Sequence, residues 1–336
     1  MPTIKDVARV AGVSYTTVSH VLNNSRPVSA KTRQSVRDAA KALNYVPSGV
    51  ARALRRRMTG TIGMVVVDTA CPFFAELVRT TEEVCFQNQI ALVLCHSYED
   101  SGRQAAHIRN LLEKRVDGVL ISAVGDLDAL EQQLRNALMP VVFVDRFVSN
   151  LGADVVAVDQ ERAGYEAAQH LLELGHRQIG CITRTPGAGA FVAPLAGYRR
   201  ALREARIEPR LHWVAEAAGL SLEGGCAATE RLLHRDSELT AIIALADILA
   251  IGVLHYAYQR EISVPGALSI IGFDGANLGR YVQPALTSVG QPIGKLGAVA
   301  ATYLLERIRG GPQGPARRIL LETKVMARES TGPAPS

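Results

Sequence analysis

The sequence predicts an all-α helix-turn-helix head at the amino terminus, followed by an α/β core of two lobes, each built on a doubly wound parallel sheet. Three observations carry this. Apolar residues recur at helical spacing from Ile4 to Leu43, β-branched runs alternate with helical periods from Thr61 onward, and positive charge is concentrated at one end.

In the head, apolar positions at 4, 7, 8 and 11 and then at 18, 21 and 22 mark two short helices. Gly12 between them supplies the positive φ of a tight turn, and Ser14 can cap the second helix through its hydroxyl. A third helix is expected from about Ala30, capped by Ser29, to Leu43, with Val36, Ala39, Ala40 and Leu43 facing inward. Asn44-Tyr45-Val46-Pro47 ends it. Ser48 can then cap a short basic helix running to about Arg56, before Thr59-Gly60 breaks the chain. With few apolar residues of its own, this connector is marginally helical in isolation.

Beyond Thr61, strands are expected at 62–67, 90–94, 118–121 and 141–144, and a second series at 155–158, 179–182, 241–245 and 268–272, with helices between them. In such sheets the loops at the carboxyl ends of strands form ligand crevices, so two lobes facing each other make a clamshell. The Gly- and Pro-rich end, 331–336, reads as a disordered tail.

Composition narrows the function. The 336 residues carry a net charge of +5, but residues 1–60 hold 11 Lys and Arg against 2 acidic residues, leaving the remainder mildly acidic. A basic head on an acidic body is a local phosphate-binding footprint. Five cysteines without C-x-x-C spacing read as small buried hydrophobes in a reducing compartment, with Cys71 also weighed as a redox-sensing thiol. No apolar run approaches a membrane span and Met1-Pro2-Thr3 begins a folded element, so a cytoplasmic protein is expected. Catalysis finds no constellation: Gly290 to Leu296 falls one residue short of a phosphate loop, Gly187 to Val192 lacks the third small residue of a dinucleotide fingerprint, and no G-x-S-x-G or H-E-x-x-H occurs. No cofactor or metal is expected. A soluble small-molecule-binding protein or an enzyme of the same two-lobed fold is the alternative, and it leaves residues 1–57 without a use.

With Thr3 to Leu22, Pro47 to Leu54, Pro72 to Val78, Lys114 to Gly118, Gly175-His176-Arg177, Ile271 to Asp274 and Pro284 to Thr287 in order, the chain resembles the lactose-repressor (LacI/GalR) family of bacterial transcription regulators, and within it the purine and ribose repressors. The match covers residues 3 to 329. The resemblance implies a periplasmic-binding-protein-like core and these boundaries: 1–46 for the DNA-binding domain, 47–60 for a hinge helix and linker, and 61–330 for an effector-binding and dimerisation domain. Within that domain, lobe 1 is about 61–158 plus 291–319 and lobe 2 about 159–290 plus 320–330.

By the same resemblance, the second helix enters the major groove of a pseudo-palindromic operator. Tyr15, Thr16 and His20 then face base edges, and Thr17, Ser19, Asn23 and Lys5 face phosphates, with Thr3, Ser14 and Ser48 in the DNA-facing set. The alternative for Tyr15 and His20 is a solvated helix face. Paired connectors would place Leu54 as a minor-groove wedge at a central C-G step, flanked by Arg52 and Arg55. Two heads reading two half-sites imply a homodimer, and no heptad repeat after Arg328 suggests a tetramer.

The implied effector site takes Phe73 and Phe74 for stacking, Asp145, Arg146, Asp247 and Asp274 for polar contacts, Gln291 on a crossover, and Arg184 and Leu220 from lobe 2. Two departures from the family stand out. Pro194 replaces an Arg before Leu195-Ala196-Gly197-Tyr198, and Ala246-Asp247 replaces Asn-Asp. Both remove hydrogen-bonding groups, which argues against ribose and purine and for a less hydroxylated, aromatic or acidic metabolite, or a sugar or sugar acid held in another way. Arg184 or Arg146 would replace the missing cation. Ligand closure of the lobes would bias the connectors allosterically, as inducer or corepressor.

Overall fold

The computed structural model describes residues 2–23, 26–46, 58–125, 127–135, 139–145, 152–184, 192–310 and 314–335. The chain divides into two compact units, Met1–Thr59 and Gly60–Ser336.

The first unit holds α1 (Ile4–Ala11), α2 (Tyr15–Leu22) and α3 (Ala30–Ala42). Val7, Ala8, Val18, Val21, Val36 and Ala39 are buried together, one pair from each helix. Gly12 ends α1 at φ 65°, the left-handed conformation that glycine adopts without steric cost. Ser14 caps α2 by accepting Thr17 N–H at 3.1 Å, and Ser29 does the same for α3 with Thr32 N–H at 3.2 Å. At the start of α1, Thr3 donates its backbone N–H and its hydroxyl to Asp6 at 2.9 and 2.8 Å, and these bonds hold the Asp6 carboxyl below its usual value. The basic connector, with Ser48, Arg52, Leu54 and Arg55, lies outside the described residues.

The second unit has two six-stranded sheets flanked by helices. Its elements are β1 (Thr61–Val66), α4 (Pro72–Gln87), β2 (Ala91–His96), α5 (Ser101–Glu113), β3 (Val119–Ile121), α6 (Leu127–Leu134), β4 (Val141–Asp145) and β5 (Asp154–Val158). They continue with α7 (Gln160–Glu173), β6 (Ile179–Arg184), α8 (Val192–Glu204), β7 (Val214–Ala217), α9 (Leu222–Arg235), β8 (Ala241–Ala244), α10 (Asp247–Gln259), β9 (Ser269–Asp274), β10 (Thr287–Gly290), α11 (Ile293–Ile308), β11 (Arg318–Leu321) and β12 (Lys324–Met326). Strand order is β11-β5-β4-β3-β1-β2 in the first sheet and β12-β10-β9-β8-β6-β7 in the second. The central strands are near-continuous β-branched runs because helices cover both faces.

Three details correct the sequence reading. The second sheet is not wholly parallel, since β12 runs antiparallel to β10 as a short edge strand. All of β11 pairs with β5, through Leu321 on Val158, so the return to lobe 2 comes after residue 321 and not after 319. The end of the chain is not a loose tail: Ala334 N–H bonds Leu174 O at 2.9 Å, Gly332 N–H bonds Ser269 Oγ at 3.0 Å, and Thr331 Oγ1 lies 3.0 Å from His170 Nε2. Its Gly and Pro residues suit a hydrogen-bonded extended strap as well as they suit disorder.

The chain passes between lobes after β5, after β10 and between β11 and β12. Within lobe 1 an ion cluster on the buried Asp154 fastens the approach to β11 against the start of β5: Arg307 and Arg317 each reach Asp154 at 2.7 Å. Burial works to raise the Asp154 carboxyl, but the two guanidiniums win and hold it at about 2. In lobe 2, α7 and α8 cross so closely that a Cβ on Gly197 would sit 1.9 Å from Glu161 O, and one on Gly164 2.0 Å from Pro194 O. That crossing sets Pro194 beside the first turn of α7. Among the described residues, no helix is long and apolar enough to cross a membrane.

Candidate functional site

Two surfaces gather the residues singled out in the sequence. On the head, Tyr15 and Thr16 open α2 with their side chains in solvent, Tyr15 at 62% exposure, while Val18 and Val21 on the opposite face are buried. His20 lies one turn beyond Thr16, half-buried. Thr3, Lys5 and Ser14 are exposed as well. Thr17 and Asn23 have local partners: Thr17 Oγ1 lies 2.9 Å from Ser14 Oγ, and Asn23 Nδ2 donates to Ser19 O at 2.8 Å. The free N–H groups of the α2 amino end add partial positive charge beside Tyr15.

In the body, the carboxyl ends of both sheets converge on a cavity of about 60 Å³. Lobe 1 supplies its apolar wall. The loop after β1 turns at Asp68, which accepts Ala70 N–H at 2.9 Å, and Pro72 starts α4 with φ preset for a helix. Phe73 and Phe74 follow in the first turn, edge to face with ring centroids 5.0 Å apart. Both line the cavity, with Val67 and Cys71 beside them. Lobe 2 contributes Pro194, Leu220, Leu245, Ala246 and Phe273.

The polar groups are Asp145, Gln160, Asp274 and Gln291. Asp145 closes β4 at φ 76°, a left-handed backbone that costs a non-glycine residue about 1–3 kcal/mol and is held only where its surroundings enforce it. Ser122 Oγ donates to it at 3.4 Å. Asp274 closes β9, accepting Asp247 N–H at 3.1 Å and Gln291 Nε2–H at 3.2 Å. Gln291 Oε1 is buried with no hydrogen-bond partner among the described residues. Burial, with Asp247 and Asp145 nearby, pushes the Asp274 carboxyl well above the usual range. Burial also raises Asp247, but Ser288 Oγ at 2.6 Å and Ala276 N–H at 2.7 Å donate to it and restrain the shift.

Of the effector set drawn from the sequence, Phe73, Phe74, Asp145, Leu220, Asp274 and Gln291 therefore share one cavity. Asp247 does not line it. It lies beneath, 1% exposed, fixing Asp274 and the turn at Ala276. Arg184 also stands outside the lining and is turned onto Glu99 of lobe 1. Arg146 falls outside the described residues. Cys71 is 3% exposed and burial pushes its thiol up to about 12, so it is a poor redox sensor. Gln160 was missed because a lone Gln at a helix start carries no distinctive spacing. Pro194 was noticed as a departure and proves to be part of the wall.

Comparison with known proteins adds the following. Residues 3–48 match the family described as bacterial regulatory proteins, lacI family, and residues 168–331 match a periplasmic binding protein-like domain. The ribose operon repressor of Haemophilus influenzae is 38% identical over 330 residues, 98% of each chain. The HTH-type transcriptional repressor PurR of Aliivibrio salmonicida is 36% identical over 332 residues, 98% of this chain and 99% of that one. Among solved structures, the lac repressor dimer bound to operator and the anti-inducer ONPF aligns with a TM-score of 0.88 at 26% identity, covering 98% of this chain and 99% of that one. The transcriptional regulator CelR–cellobiose complex aligns at 0.73 and 32% identity, covering 98% and 100%.

Proposed function

Because the chain belongs to the lacI family of bacterial regulatory proteins and is a DNA-binding transcriptional repressor, we propose that it grips a pseudo-palindromic operator as a homodimer and that a small metabolite in the cleft of the body tunes that grip. The exposed Tyr15–Thr16 face of α2, set against a buried Val18–Val21 face, supports the operator half of this reading. Tyr15, Thr16 and His20 read bases, Lys5, Thr17, Ser19 and Asn23 hold phosphates, and Leu54 between Arg52 and Arg55 wedges the centre.

For the effector, the carrying observation is that acceptor oxygens predominate in the described polar lining: Asp145, Asp274 and the unmatched Gln291 Oε1, with the Gln160 amide beside them. Such a site suits hydroxyl or amino donors and offers no cation to a carboxylate among its described lining, so the acidic metabolite loses support. In the same lining, Pro194, Leu220 and Ala246 offer no side-chain hydrogen-bonding group to a polar ligand edge. The effector is therefore a small neutral ring with donors on one edge and an apolar remainder, resting on Phe73 and Phe74. The relatives named for ribose and cellobiose are consistent with a neutral, hydroxyl-bearing class.

Two measurements test this. Selection from random duplex DNA with the full-length protein should return a symmetric site, and Leu54→Ser should weaken binding to it at least tenfold with the fold intact. Calorimetry against matched sugars, deoxy-sugars and sugar acids should find binding among the neutral compounds, lost in Asp274→Asn. A sugar acid as the tightest ligand would overturn the effector reading, and absence of any preferred duplex would overturn the whole.

A further inference from the structure

Gln291 sits where the chain turns from β10 into α11, and its backbone is held on both sides. Its N–H bonds Asp274 O at 2.8 Å, and its carbonyl accepts Ile293 N–H at 2.8 Å. The side chain is 8% exposed in the cavity wall. Nε2 donates to Asp274 Oδ1 at 3.2 Å, while Oε1 has no hydrogen-bond partner among the described residues. The other Asp274 oxygen is committed, because Oδ2 accepts Asp247 N–H at 3.1 Å. Oδ1 is thus the oxygen left to the Gln291 amide.

A buried carbonyl with no donor is costly, and an amide has a second way to sit. Half a rotation exchanges Oε1 and Nε2 with little change in shape. Oε1 then meets Asp274 Oδ1, a contact between two acceptors that only a proton on the carboxyl can bridge, and the two hydrogens on Nε2 turn to the cavity. The surroundings favour that proton. Burial withholds water from Asp274, and Asp247 from α10 and Asp145 from β4 bring like charge, so the carboxyl is pushed well above its usual range. The Cys71 thiol at the start of α4 feels the same charge, and Arg328 beyond β12 acts on Asp247.

We propose that Gln291 is a turnable adaptor set by one proton on Asp274, so that the cleft shows a ligand a carbonyl oxygen when Asp274 is ionised and an NH2 group when it is protonated. The proton comes from solvent and returns to it, and no other bond forms or breaks. Gln291 thereby decides specificity: a ligand edge bearing hydroxyls is matched by the ionised pair, and an edge bearing a carbonyl is matched only with uptake of one proton. A fixed amide would leave one of the two classes unmatched at every pH. This use of Gln291 rests on the cleft being the effector site.

The test reads the amide itself and uses no effector, so its failure and failure of the effector assignment can be told apart. The full-length protein is labelled with 13C at glutamine Cδ, and the Gln291 signal in the NMR spectrum is assigned by its loss in Gln291→Met. Between about pH 5 and pH 10 that signal should move by several linewidths along one titration curve. Asp274→Asn is the control: Asp247 N–H holds the Asn oxygen at the Oδ2 position, which leaves the Asn NH2 facing Gln291 as a permanent donor. In that variant the Gln291 signal should lie within a linewidth of the parent's acid position and stay there at every pH. The thermal transition of Trp213, the single tryptophan, confirms that each variant is folded. A parent signal that does not move, or an acid position distinct from that of Asp274→Asn, would overturn the adaptor.

Discussion

In the head, the residues aimed at a partner stand on the surface, with Tyr15 62% exposed, whereas in the body the corresponding groups are sunk, with Phe73 at 3% and Asp274 at 7%. The head's apolar core is six small or β-branched residues, and the body's runs through both lobes. The head thus separates what it reads with from what holds it up. In the body the two overlap, because Asp274 lines the cleft while Asp247 and Ser288 beneath it are the buried structure that holds it in place. A substitution on α2 can change sequence preference at little cost in stability, while one in the cleft disturbs both.

That contrast is open to direct attack, most severely at the α7–α8 crossing. Gly197→Ala would drive a methyl into the backbone at Glu161, and overpacking of this kind costs about 3 kcal/mol. Trp213 fluorescence should show the body's denaturation midpoint fall, while the isolated-helix contacts of the head, followed by amide NMR, stay as they were. A smaller effect comes from Val36→Ala, which removes buried methyls from the head at about 2 kcal/mol. Operator binding should be lost near room temperature with the Trp213 transition unmoved; a matching shift in Trp213 would show that the two units do not fail separately.

The smallest effect is a pH dependence within the body. His176 is fully buried, with Thr240 Oγ1 2.8 Å from Nδ1 and Gly332 O 3.0 Å from Nε2. Burial lowers the pKa of His176, and of His170 beside the same strap. A histidine held neutral stabilises the fold fully above its unfolded value of 6.5, and that contribution fades as pH falls from there through the folded value. The stability gap between the parent and His176→Gln should therefore be full at pH 8 and narrow on acidification below 6.5. A constant gap would assign His176 to packing alone.

The head and the central strands were legible because their signals are local. Val7 and Ala8 against Val18 and Val21 repeat with helical spacing, and runs such as Ile62 to Val66 have few other uses. The strands that escaped notice are those whose residues serve a distant partner. Ser288 in β10 is polar yet buried because Asp247 takes its hydroxyl, and β12 is a three-residue edge whose partner strand β10 is remote in sequence, Gly290 facing Lys324 and Ser288 facing Met326. For the cleft, strand ends identified Phe73, Asp145 and Asp274, since topology fixes where a strand end goes. The roles of Asp247 and Arg184 were not legible: whether a charge faces a ligand or a neighbouring side chain depends on a few ångströms of packing that no spacing encodes.

The first sheet takes its edge strand from residues 318–321 and the second takes one from 324–326, with the strap beyond it bonded to His176. During synthesis, then, neither lobe can be finished until this late stretch has left the ribosome, whereas the three-helix unit is complete once its first sixty residues have emerged. A nascent chain thus has the three helices of the head available well before either sheet has its edge strand, so the cleft between the lobes is the last part of the molecule to be completed.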